Sequence, residues 1–511
     1  MKCLFILLAL CPALFAAQPN VILIMVDDFG YECVTANGGE SYQTPNLDKL
    51  AALGVRFENC HAQPLCTPTR VQLMTGRYNV RNYLNFGTLR REETTFGHIM
   101  KNAGYATAIC GKWQLGHELD SPQHFGFEES CLWQQTRRPP RYTNPGLEYN
   151  GVEKDFTKGE YGPTLVNDFA LGFIEKNKEK PFFLYYPMIL THNPFQPTPD
   201  SANYDPTISS EQKLQNPKHF ADMTAYMDKM VGRIVSKLDD LGLRDNTLIL
   251  FLGDNGTNSG ITSRFQGRDY KGGKGSTNAH GTHVPFIASW PAVMKKGRVS
   301  ADLVSCADFL PTICAATGVE APAGVDGVSF LPQLKGETGT PREWLYIWYS
   351  PRQSKDMTVR EYAFDQRFKL YRTGEFFDLK ADEMEKQDLA TTALASDAAA
   401  AKAKLQVALD QFKDARPAEL DQQFLNSGAG KDKPEKKCSV PLLDWTGDKL
   451  SELIQDQAYI HPAQKLCEGA VQVSSSVARR GRSVAVTELL RGRRPLPLVA
   501  VHPQPGAFCH E

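Results

Sequence analysis

The sequence lacks any charge excess: 57 basic side chains stand against 58 acidic ones over 511 residues, a formal net charge of −1. That balance removes a whole-chain attraction to nucleic acid or to a membrane surface, so any anion binding has to come from a local site. It also lacks the paired cysteines of metal and redox motifs. Its 12 cysteines are scattered with no CxxC spacing, which excludes zinc-ribbon and thioredoxin-like readings. Cys306 and Cys314 fall on one expected helix, about 12 Å apart at roughly 1.5 Å per residue, too far to bridge each other. Beyond the first residues, no apolar run approaches the ~20 residues that a membrane-spanning helix needs. The run that does exist, Leu4 to Phe15 behind Lys2 and ahead of Ala16 and Ala17, is short and reads as an export signal over residues 1–17. The expected location is periplasmic or extracellular.

What is present is an ordinary globular composition, 41% hydrophobic and 23% charged, sufficient for a sizeable core. From Asn20 to about Pro341, strand-like apolar runs alternate with amphipathic helices, the pattern of a helix-flanked α/β sheet. Val21 to Val26, Phe182 to Leu190 and Thr247 to Leu252 read as buried strands, and Tyr105 to Cys110 is strand-like. Met223, Met227, Met230, Val231, Ile234, Leu238 and Leu241 keep helical spacing and read as core. The expected organisation is an α/β domain over 18–342 built on a large, mostly parallel mixed sheet. A small antiparallel α+β subdomain follows over 343–413. A charged linker and basic tail without periodicity occupy 414–511, a solvated end rather than a polyanion-binding arm.

The residues just past the strands carry the chemistry. Asp27-Asp28, Lys112, His192 and Asp254-Asn255 each follow a strand's C-terminal end, where ligands bind in open α/β sheets. Four separate segments placing polar groups on one rim are not explained by packing. Carboxylates from two strand ends are hard oxygen ligands, suited to calcium or magnesium rather than zinc. Cys66 opens a helix expected to run to Gly76, with Pro68 in its first turn. A helix N-terminus favours negative charge, and Arg70 adds a fixed cation within one turn.

The stretch from Pro64 through Cys66-Thr67-Pro68-Thr69-Arg70 to Thr75-Gly76 resembles the sulfatase signature, and the likeness to that family extends over roughly Asn20 to Asp388. The resemblance implies the alkaline-phosphatase-like fold and oxidation of Cys66 to formylglycine by a dedicated maturation enzyme. It implies one calcium ion held by Asp27, Asp28, Asp254, Asn255 and the residue at 66. It also implies that Arg70, Lys112, His192 and Lys274 surround the sulfate. The implied reaction is hydrolysis of a sulfated small molecule or glycan through a covalent enzyme sulfate ester.

Two departures from the family pattern bear on release of that ester. After Gly111-Lys112-Trp113 the chain has Gln114, where the family has the histidine that serves as base. Glutamine hydrogen-bonds but takes no proton near neutral pH. After Lys274 the chain reads Ala279-His280-Gly281-Thr282-His283 instead of a glutamate-diglycine-arginine run, so His280 or His283 is expected to supply the missing base. Arg137, Arg138 and Arg141, flanked by aromatics between Trp133 and Tyr142, either meet a sulfated sugar or form a solvated loop. Two other functions stay open at this point. One is a formylglycine-dependent phosphonate or phosphodiester hydrolase; the other is a weakly catalytic protein that captures sulfated glycans.

Overall fold

The computed structural model describes residues 18–208, 216–294, 297–353 and 356–426. The expected export signal and most of the expected tail lie outside these residues. In chain order the strands are β1 (Asn20–Val26), β2 (Val55–His61), β3 (Ala106–Gly111), β4 (Glu129–Trp133), β5 (Gly146–Tyr149), β6 (Val152–Asp155), β7 (Phe182–Pro187) and β8 (Thr247–Gly253). They continue with β9 (Thr262–Phe265), β10 (Arg268–Lys271), β11 (His283–Ser289), β12 (Arg298–Ser305), β13 (Leu345–Tyr349), β14 (Arg360–Phe364), β15 (Phe368–Tyr371) and β16 (Phe376–Asp378).

Ten strands form one sheet in the order β12-β2-β11-β8-β1-β7-β3-β4-β5-β6. The central run β8-β1-β7-β3-β4 is parallel throughout. Antiparallel strands enter on both sides, β11 beside β8 and β5 beside β4. The period of two decides the layering. Val21, Leu23 and Met25 face a core shared with Val71, Leu73 and Met74 of the Cys66–Thr75 helix. Ile22, Ile24 and Val26 face a second core shared with helices Gly162–Lys176 and Phe220–Asp240. Both faces of β1 are therefore covered, and this is why its sequence shows an unbroken apolar run. The methionine stripe of Phe220–Asp240 is core, as its spacing predicts.

The second sheet, β13-β14-β15-β16, is antiparallel. Helix Ser396–Asp410 covers it, with Leu405, Ala408 and Leu409 buried. The chain does not lose structure at Asp414: helix Ala418–Asn426 follows and buries Leu420 and Phe424. Arg352 donates to Asp421 at 2.9 Å and lies over the Phe424 ring. A docking helix of two turns, held by two apolar residues and an ion pair, is too short to announce itself by periodicity.

One buried acid gives the fold a pH signature. Glu148 on β5 is fully buried and accepts hydrogen bonds from Gln135 Nε2, at 3.1 and 3.2 Å. Burial pushes its carboxyl up to about 7 from 4.5. The folded state therefore holds a proton there that the unfolded chain has already lost. Stability contributed by the neutral acid is complete below pH 4.5 and falls as pH rises to about 7. Glu148→Gln is expected to remove a decline on the order of 2 kcal/mol across that window. Thermal melts of both proteins across that range check it, and parallel slopes would refute it.

Candidate active site

Four strand ends in the parallel run and one helix N-terminus converge on a single buried cluster. β1 ends in Asp27-Asp28 and β8 in Asp254-Asn255, and all four side chains are inaccessible to solvent. β3 delivers Lys112, because Gly111 (φ 122°) passes so close to β7 that a Cβ there would sit 1.8 Å from the Pro187 carbonyl oxygen. The loop after β7 delivers His192, and the glycine-rich loop after β10 delivers Lys274. Cys66 is the first residue of its helix and is 1% exposed.

Three carboxylates are matched by three cations. Lys112 Nζ lies 2.6 Å from Asp27 Oδ2, Lys274 Nζ 2.8 Å from the Asp28 carboxylate, and Arg70 Nη2 3.0 Å from Asp254 Oδ2. Arg70 Nη1 also donates to the Lys112 carbonyl at 2.7 Å, and Thr69 Oγ1 to the Asp254 carbonyl at 2.7 Å. One helix turn thereby fixes both flanking strand ends. Asn255 Nδ2 donates to Asp28 Oδ1 at 2.9 Å, and the Asp28 amide to Asp254 Oδ1 at 3.0 Å.

The pairs do not balance equally. Burial raises Asp27, but Lys112, His192, Arg70 and Lys274 together hold it well below the usual carboxylate range. For Asp254, burial and adjacent Asp27 outweigh Arg70 and push it up to about 7. Burial and neighbouring Lys274 push His192 down to about 3, so its ring is neutral. With Nδ1 donating to the Asn193 carbonyl at 2.6 Å, Nε2 is left as an acceptor 3.2 Å from Lys274 Nζ. Burial lowers Lys274, yet Asp28, Cys66 and Asp27 lift it above its ordinary value, so it stays charged. The Cys66 thiol is raised by burial against the opposing pull of Lys112 and Lys274. An ordinary thiolate nucleophile is thus disfavoured here.

The cluster has the donor set for a hard cation. Asp27, Cys66 and Asp254 offer ligand atoms within 4.8 Å of one another, as do Asp27, Asp28 and His192. Asp27 Oδ1 and Asn255 Oδ1 are buried without a hydrogen-bond partner, a costly state that an oxygen-ligated cation relieves.

The structure thus brings together Cys66, Arg70, Lys112, His192, Lys274, Asp27, Asp28, Asp254 and Asn255. It does not bring in His280 or His283. The short Ala279–Thr282 helix lays the His280 ring on Tyr270, with Nδ1 2.6 Å from the Lys271 carbonyl and Nε2 3.3 Å from Glu383. His283 opens β11, stacks between Tyr31 and His61, and bonds the Glu58 carbonyl at 2.8 Å. Both rings are turned to other partners, so neither His280 nor His283 stands in the place expected of the base. Gln114, two residues past Lys112, is in a left-handed conformation (φ 54°), its carbonyl accepting from Thr67 Oγ1 at 3.4 Å and its Oε1 buried without a partner among the described residues.

Among the three loop arginines, Arg137 pairs with Asp155 at 2.8 Å, and Arg138 is exposed. Arg141 lies 4.2 Å over the Trp133 ring, with Nη1 3.2 Å from His192 Nδ1. Sequence alone did not single it out from its neighbours. Thr69 was likewise visible only as part of a motif.

The sulfatase family model matches residues 19–319, and that of the N-sulphoglucosamine sulphohydrolase C-terminal domain matches residues 277–414. The chain is 32% identical to the N-acetylgalactosamine-6-sulfatase of Canis lupus familiaris over 64% of its length and 68% of the relative's. With arylsulfatase A of Homo sapiens the identity is 31%, over 68% of this chain and 73% of the other. Among solved structures, Ps i-CgsB in complex with k-i-k-neocarrahexaose superposes with a TM-score of 0.64 at 26% identity, covering 78% of this chain and 94% of that one.

Proposed function

The chain belongs to the sulfatase family, and from that premise we propose that it cleaves the sulfate ester of a carbohydrate or aryl alcohol, with residue 66 as the attacking group after oxidation of Cys66 to formylglycine. The observation that carries this reading is the burial of Cys66 at a helix N-terminus against Asp27 and Asp254, in a cluster that also holds Lys112 and Lys274. When present, formylglycine supplies a hydrated aldehyde hydroxyl, and a calcium ion held by Asp27, Asp28, Asp254 and Asn255 supplies Lewis acidity. The chain's own residues do the rest. Lys112, Lys274 and neutral His192 face the position of the sulfate, where fixed charges and dipoles in a dry site favour the transition state. Lys274, held protonated by Asp28, stabilises the leaving oxygen as a charge. Gln114, with its buried Oε1 unpartnered, accepts a hydrogen bond from the reacting group but not its proton.

The names of the relatives support a sulfated carbohydrate as substrate, and the k-i-k-neocarrahexaose bound by Ps i-CgsB points the same way. A formylglycine-generating enzyme is the required maturation partner. The expected export signal accords with such a role. Among the described residues no helix is long and apolar enough to cross a membrane.

Matched assays of an aryl sulfate, an aryl phosphate and a phosphonate monoester test the reaction. Sulfate ester turnover is expected to dominate; a preference for either phosphorus ester would replace this reading with its nearest alternative. Calcium is tested separately from turnover. Saturating Ca²⁺ is expected to raise the melting temperature, with stabilisation of about 2.7 kcal/mol at roughly 100 times Kd. Asp27→Asn is expected to abolish that shift. Melting curves that ignore Ca²⁺ and Mg²⁺ alike would remove the metal from the proposal.

A further inference from the structure

The loop that carries Lys274 has little means of holding itself. Gly272, Gly273 and Gly275 surround the lysine, and Gly275 sits at φ +88°, so the backbone there is entropically loose unless anchored from outside. On one flank the anchors are main-chain bonds within the catalytic domain. The Lys274 amide donates to Thr257 O at 3.0 Å and the Gly275 amide to Pro64 O at 2.9 Å, two residues before Cys66.

On the other flank the anchors come from the second sheet. Lys369 on β15 is 2% exposed, and its Nζ donates to the Thr277 carbonyl at 2.6 Å and to Glu385 Oε1 at 2.7 Å. Tyr371, two residues along the same strand, donates to Glu385 Oε2 at 2.6 Å and shares a hydrogen bond with Thr277 Oγ1 at 2.8 Å. The ammonium lies over the rings of Tyr362 (3.8 Å) and Tyr371 (4.7 Å). Farther along the loop, Glu383 meets His280 and Arg268. Burial lowers Lys369 to about 8, so a cation here is costly to the subdomain itself. Its bond to Thr277 links this cation to the loop, three residues after Lys274.

We infer that Lys369, Tyr371 and Glu385 form a clamp through which the C-terminal sheet fixes the Lys274 loop, making them positioning residues for turnover rather than parts of a separate structural module. The inference rests on the sulfatase reading of Lys274. A loosened clamp leaves substrate binding by the remaining cluster largely intact but blurs Lys274 against the leaving oxygen, a displacement that costs up to about 10²-fold when it reaches 1 Å.

The test uses Lys369→Met, which keeps the stem, and Tyr371→Phe, which removes one hydroxyl and leaves the ring packing. Each is built in the full chain, alone and with Lys274→Ala, and assayed on an aryl sulfate. Lys369→Met is expected to lower kcat by about 10- to 100-fold, and Tyr371→Phe by a smaller factor, with KM changing far less. In the Lys274→Ala background the same changes are expected to cost no more than about 2-fold, because the group they position is gone. Equal factors in both backgrounds would overturn the inference. Amide exchange of the segment 271–280 is read in parallel and needs no turnover. Faster exchange at Gly275 in Tyr371→Phe is expected, and exchange identical to the parent refutes the clamp. Faster exchange in a protein whose parent shows no sulfatase activity would leave the clamp standing and remove the sulfatase reading instead.

Discussion

Cys66→Ala is expected to fold and bind calcium yet turn over sulfate esters at least about 10³-fold more slowly than the parent, the scale seen when a covalent nucleophile is deleted. The cavity left by one sulfur at a site that is 1% exposed costs about 1 kcal/mol, so the loss of activity is not a loss of fold. Cys66→Ser makes the sharper comparison. Its hydroxyl occupies the same place at the helix N-terminus, but a maturation enzyme that oxidises cysteine leaves it an alcohol, and it is expected to be as inactive as the alanine. Peptide mass spectrometry of the active parent completes the test, with aldehyde expected at residue 66 in place of thiol. An active preparation carrying only unmodified cysteine would sink the mechanism.

The largest expected effect on stability is at Arg70. Its guanidinium is 1% exposed and joins Asp254, at 3.0 Å, to the Lys112 carbonyl, at 2.7 Å. Arg70→Met removes a buried cation from beside a buried anion and is expected to cost about 3–5 kcal/mol, because the carboxylate is left uncompensated. The sign of its pH dependence follows from Asp254. Burial and Asp27 already raise that carboxyl to about 7 from 3.8, and loss of Arg70 raises it further. The folded state then holds a proton that the unfolded chain releases, so the variant's deficit is small in acid and grows as pH rises through 7. Urea unfolding at acidic and alkaline pH checks this; a deficit independent of pH would show that Arg70 acts by packing alone. Arg70→Lys is expected to recover only part, since an ammonium cannot span both acceptors.

Much of the site was legible because chemistry and topology coincided. Asp27-Asp28, Lys112, His192 and Asp254 each follow an apolar run, and parallel strands place their C-terminal ends on one rim. The helix from Cys66 to Gly76 was legible for the same kind of reason, through its proline and its terminal glycine. Side-chain direction was not. His280 and His283 stand only nine residues or fewer from Lys274 in sequence, yet a single turn of helix and the start of β11 send both rings to other partners. Arg141 differs from Arg137 and Arg138 in no local property, and only the fold lays it against Trp133 and His192.

The residues alone determined the fold class, four strands of the ten-stranded sheet and the strand-end placement of Asp27, Asp28, Lys112, His192, Asp254 and Asn255, because hydrophobic period and strand-end placement are local properties. Tertiary structure decided the rest. Which carboxylate each cation meets, which histidine stays out, and the support that Lys369 and Tyr371 lend to a loop nearly a hundred residues away all depend on contacts between segments distant in the chain. No spacing encodes those contacts, since they exist only once two sheets have packed and their loops have met.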